Sequence, residues 1–223
     1  MRLAIPTILA VMAFGLVSCS NDGKRAELPV PVSQRFLTVE DAPGSQPDPV
    51  ELRQTTEKFD EFIAVLKDAS IDPDMKVMSS VFHDASFKSA GVDARFFGAT
   101  HNSDTSPHVF SSFIELGSKR GATSALEWLE ADTNKPCPFS CATQITAFDV
   151  AHIPGVRGVH RVATAENIAA VGATEQRPQE RFWVGFIEGA VVYTMDLQGP
   201  PGSVSEQQAQ DIANAWYDRL TRR

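Results

Sequence analysis

Two β-rich runs and the amphipathic helix behind them constrain this chain more than anything else in it. Residues 181–197 alternate aromatic and β-branched side chains on either side of Glu188 and Gly189, and glycine supplies the tight turn such a hairpin needs. Phe182, Val184 and Phe186 fall on one face of the first run, while Trp183, Gly185 and Ile187 fall on the other. Both faces are apolar, which predicts a strand covered on both sides. Gly199, Pro200, Pro201 and Gly202 then break the chain before a helix that opens on Ser205 and Gln208, a Ser-x-x-Gln capping box. Its stripe of Ala209, Ile212, Ala213, Trp216 and Leu220 is the inward face, with Trp216 as a core anchor.

Upstream, Phe59, Phe62, Ile63 and Leu66 share one helical face after a cap at Thr55 or Thr56, and a shorter helix at 75–85 carries Met78, Val81 and Phe82. Residues 87–97 form a weakly patterned strand with a bend at Gly91, and residues 98–107 are the most loop-like stretch. Residues 108–116 form a clearer strand. Ser118 caps a helix running to about residue 131, with Ala122, Ala125, Leu126 and Leu129 inward. Strands are expected at 144–150 and 156–162, and a helical excursion or loop at 163–179. Sequential strands with short links predict an α+β domain: an antiparallel β-sheet with helices packed on it, the last at the C-terminus.

The N-terminus carries a different kind of signal. Arg2 precedes an uncharged apolar run too short for an ordinary spanning helix, as in a secretory signal. The run ends in Leu16, Val17, Ser18 and Cys19, which resembles the lipobox of bacterial lipoproteins. The resemblance implies cleavage after residue 18 and acylation of Cys19. Residues 1–18 are then the signal peptide. Residues 19–49, polar and rich in proline, read as a lipid-anchored linker whose apolar segment at 35–39 could dock on the domain as an edge strand, and residues 50–223 read as one domain. The formal charge of −8 disfavours a nucleic-acid partner, because a phosphate backbone needs a basic footprint.

With Cys19 acylated, Cys137 and Cys141 remain as an even pair, and an exported domain is expected to oxidise them to a disulfide. A redox-active pair and half of a metal site are the alternatives. The histidines include no HExxH pattern. His101 and His108 straddle the loop in a way that permits a shared metal without pointing to one. The glycines at 155 and 158 match no phosphate-loop pattern, and the serines no nucleophile elbow. No catalytic residue, metal ligand or cofactor is assigned, and the chain is expected not to be an enzyme.

The lipobox, the polar tether, the cysteine loop and the aromatic hairpin with its terminal helix together resemble the organisation of actinobacterial cell-envelope lipoproteins of the small extracytoplasmic sensor or binding-domain kind. That resemblance implies a lipid-anchored binding or sensor-like module on the extracytoplasmic face of the cell membrane. Its partner would be an envelope lipid, glycan or protein. A structural or assembly lipoprotein acting through protein contacts is the alternative. Contacts to a ligand or partner are sought at Phe96, Phe97 and His101 around the loop, and at Trp183 or Tyr193 if one sheet face is uncovered. A concave apolar pocket would favour the first reading, and an exposed apolar patch the second.

Overall fold

A computed structural model describes residues 30–49, 53–68, 75–99, 101, 105–135, 143–170 and 177–222. Cys19 with the rest of the lipobox, and Cys137 and Cys141, lie outside the described residues, as do the side chains of Leu66 and Met78.

The chain forms one antiparallel sheet from β1 (Ser45–Pro47), β2 (Gln54–Thr56), β3 (Ser89–Phe97), β4 (His108–Glu115), β5 (Thr143–Ala147), β6 (Arg157–Ala163), β7 (Gln179–Glu188) and β8 (Val191–Gly199). The strand order is β1-β3-β4-β8-β7-β6-β5, with β2 also pairing β3. The helices are α1 (Phe59–Asp68), α2 (Met75–Asp84), α3 (Lys119–Thr133), α4 (Ala165–Ala170) and α5 (Glu206–Thr221). The expected α+β architecture is the one observed.

The hairpin forms as its alternation requires. Gly189 takes a φ of 62° at the turn, and Glu188 pairs with Val191 across it. Both faces of β7 are buried. Phe182, Val184 and Phe186 meet α5, whereas Trp183 meets α3 on the opposite side, so the sheet separates two cores. The α5 core takes in Trp216, Tyr193, Phe113, Met195 and Leu197; the other gathers Phe62, Ile63, Phe82, Leu126 and Val192. Ser118 and Ser205 cap α3 and α5, their hydroxyls accepting from the backbone N–H groups of Gly121 and Gln208.

The N-terminal segment differs from expectation. Arg35, Phe36 and Leu37 are buried, but residues 35–39 pair with no strand among the described residues; they follow a 3₁₀ turn at Val32–Gln34, and Phe36 and Leu37 join the α5 core. The edge is supplied instead by β1 and β2, which share one side of β3. The indole N–H of Trp216 donates to the Arg35 carbonyl at 3.1 Å. Asp41, 2% exposed, accepts from the Thr38 backbone N–H at 2.8 Å and from the Arg219 guanidinium at 2.7 Å. Thr55 and Thr56, expected as caps, lie in β2, from which the Thr56 hydroxyl accepts the Lys58 N–H at the entry to α1. Gly91 is required by packing: a Cβ there would lie 2.3 Å from the Phe113 ring.

Tyr193 is 1% exposed, and burial pushes its phenol up to about 12. The folded value lies above the unfolded one, so the neutral phenol stabilises the fold fully below about pH 10. That contribution, about 2–3 kcal/mol, is lost as pH rises from there towards 12. Urea midpoints taken across this range are expected to fall for the wild-type protein and to fall less for Tyr193→Phe. Parallel curves for the two proteins would contradict the assignment.

Candidate functional site

The β3–β4 hairpin builds the site. Phe96 and His108 stand opposite each other in the register, and side chains paired in this way share a face of the sheet. The Phe97 N–H donates to the Pro107 carbonyl at 2.8 Å and closes the loop at its base, while Gly98, with φ of 122°, turns the chain out of the strand. His101 comes back from this loop over Phe96, the two rings 5.1 Å apart and edge to face. Asp48 arrives from the other side. It follows β1, and its N–H donates to the Ala94 carbonyl at 2.9 Å, which extends the pairing along the edge of β3.

Three side chains from distant parts of the sequence converge here. Asp48 Oδ2 lies 3.1 Å from His101 Nε2 and 3.6 Å from His108 Nε2, and the two imidazole nitrogens are 3.4 Å apart. The side chains of Asp48, His101 and His108 are 4%, 19% and 8% exposed, so water reaches the group mainly along the His101 side. Phe96 lies beneath His101, and Phe110 stacks on His108 at 6.1 Å. Burial holds the pKa of His108 below its ordinary value. Asp48 acts in the opposite direction, His101 adds to the lowering, and a backbone hydrogen bond at Ser106 favours the protonated ring. The balance keeps this imidazole neutral near pH 7, the form in which a ring nitrogen can donate a lone pair to an ion or a ligand proton.

Of the contacts sought from sequence, the fold brings Phe96 and His101 together. Phe97 points to the opposite face, where with Glu40, Asp41, Gln208, Asp211 and Ile212 it lines an open groove of about 490 Å³. Trp183 is 7% exposed within the α3 core. Tyr193 stacks on Phe186 at 5.3 Å and meets Trp216 edge-on at 5.4 Å. The condition attached to these two, an uncovered sheet face, is not met at either position. Asp48 carries no signal of its own in the sequence, and His108 stands out there only as the far side of a loop.

No protein-family model matches the sequence, and no curated protein sequence does. The chain is similar in structure to the extracellular domain of PknH from Mycobacterium tuberculosis, with a TM-score of 0.51 and 12% sequence identity, covering 88% of this chain and 99% of that one. At that identity the likeness is one of fold alone.

Proposed function

We propose that the chain is a lipid-anchored binding module of the extracytoplasmic, sensor-like kind, which recognises a small polar or cationic species and carries out no reaction of its own. The convergence of Asp48, His101 and His108 at the loop end of the sheet carries this reading. The lipobox at residues 16–19 and the fold shared with an extracellular domain support the location. The chemistry of the surface supports a polar ligand over an acyl chain. The cluster itself offers only carboxylate and imidazole atoms, and among the described residues the exposed large hydrophobics are Val32 and Val39. Binding at the cluster distinguishes this module from an assembly lipoprotein, which would work through a broad protein-facing surface.

Fractionation tests the anchor. Cys19→Ser is expected to leave the membrane fraction while keeping the far-UV circular dichroism and melting temperature of the wild-type domain, because residue 19 precedes every element found among the described residues. Retention of the variant in membranes with unchanged detergent behaviour would overturn the anchored reading.

A further inference from the structure

We propose that Asp48, His101 and His108 form a three-ligand site for a divalent transition-metal ion of the zinc class, with a fourth position left for water or an incoming donor. This deepens the binding reading above and takes its choice of site from it. The argument begins with spacing. Zinc binds imidazole nitrogen and carboxylate oxygen at about 2.0–2.1 Å, so tetrahedral ligands around it stand about 3.3–3.4 Å from one another. The three donor atoms here are separated by 3.1, 3.4 and 3.6 Å. The nearest point equidistant from all three lies about 2.0 Å from each, which matches the bond length such an ion requires.

The donor set selects the kind of ion. Two imidazoles and one carboxylate suit zinc and its neighbours in the transition series, whereas calcium and magnesium prefer six or more oxygen ligands. Charge agrees with this choice. A dication offsets the buried Asp48 carboxylate, and two neutral imidazoles supply donors without adding a second negative charge. Preorganisation comes from the sheet. Asp48 is held by its backbone bond to Ala94, and His108 opens β4 between β3 and β8. His101 alone comes from the loop, so a bound ion would fasten that loop to two strands. This gives a binding event a mechanical output at the site.

A carboxylate bridging two imidazoles through hydrogen bonds is the competing account of the same geometry, and metal uptake separates the two. The full-length protein, extracted in detergent and stripped with a chelator, is titrated with zinc alone and with cobalt(II) alone. One equivalent of zinc is expected, with a melting temperature that rises as the ion binds only the folded state. Cobalt is expected to give the intense visible bands of a four-coordinate ion without a thiolate charge-transfer band. His101→Ala and Asp48→Asn should each weaken zinc binding by more than about 100-fold, since even outer partners of a metal site account for roughly 10–100-fold. His101 comes from a loop and Asp48→Asn keeps the side-chain shape, so both variants are expected to retain the wild-type circular dichroism.

No stoichiometric uptake, uptake unchanged in both variants, or a thiolate band assigning the ion to Cys137 and Cys141 would each overturn the site. Should a variant fail to fold, the cobalt spectrum of the wild-type protein decides. The two readings fail separately. A different adduct that co-purifies and is lost in His101→Ala would remove the ion and keep the binding module. Zinc held by these residues in a protein whose Cys19→Ser form stays in the membrane would remove the anchor and keep the ion.

Discussion

Replacing Trp216 with alanine is expected to lower the stability of the domain by about 3–5 kcal/mol, the largest effect of any single substitution considered for this fold. Trp216 is fully buried and meets Phe186 and Tyr193 edge-on, each at 5.4 Å between ring centroids. The variant removes this aromatic volume from a core whose backbone is fixed by β7 and β8, so the site cannot collapse to fill it. It also leaves the Arg35 carbonyl without the indole N–H that it accepts. Urea unfolding is the direct measurement. With a slope of about 1–3 kcal/mol per molar urea, the midpoint should fall by more than about 1 M. A midpoint within a few tenths molar of wild type would mean that Trp216 anchors nothing.

Asp41→Ala should destabilise by about 2–4 kcal/mol, somewhat below a fully buried pair because the Arg219 side chain retains 28% exposure. Here the loss is electrostatic. The Asp41 carboxylate accepts from both the Nε and a terminal nitrogen of Arg219, and from the backbone and hydroxyl of Thr38. Without it, the hydrogen-bond partners of Arg219 among the described residues are the carbonyls of Gln34 and Phe36, and the exposed Glu40 is left as a weaker counter-charge. The prediction has a local component. Amide exchange in residues 30–48 should accelerate more than exchange in β4 or β8, which an evenly spread loss of stability would not produce. Both substitutions release the same segment from α5, so their effects should combine to less than their sum.

Legibility of the fold from sequence followed the length of each pattern. The β7–β8 hairpin and α5 each carry several turns or pairs of alternation, and Ser118 and Ser205 cap helices as their positions require. In residues 35–39, Phe36, Leu37 and Val39 look locally like a segment that could dock as an edge strand. Phe36 instead packs edge to face on Phe113 at 5.2 Å, a contact 77 residues away that no short window contains. The edge strands Ser45–Pro47 and Gln54–Thr56 are three residues each and mostly polar, so their pairing with β3 is decided by tertiary context and not by propensity.

The candidate site shows the same limit more sharply. His101 and His108 were noticed because they flank one loop. Asp48 lies far from both in sequence, beside a proline in a stretch whose composition reads as linker. Only the pairing of β1 with Phe97, Phe96 and Arg95 carries it to the two histidines. For Trp183 and Tyr193, sought on condition of an uncovered sheet face, the limit is the opposite one. An aromatic side chain looks the same in sequence whether it faces a ligand or a second layer of helices, and here α3 and α5 supply the second layer.

The burial of residues 35–37 and the pairing of β1 change the reach of the molecule. Composition alone assigns residues 19–49 to a lead of about 110 Å at full extension. The segment from Val30 to Asp48 is instead fastened to the domain through Trp216, Arg219 and β3. With Cys19 acylated as proposed, about 11 residues separate the lipid from the folded body, and whatever path they take they span at most about 40 Å. Such a module samples a thin layer above the bilayer at high effective concentration and does not range through the surrounding space. With that anchor, anything it binds would have to come to the membrane surface to be met.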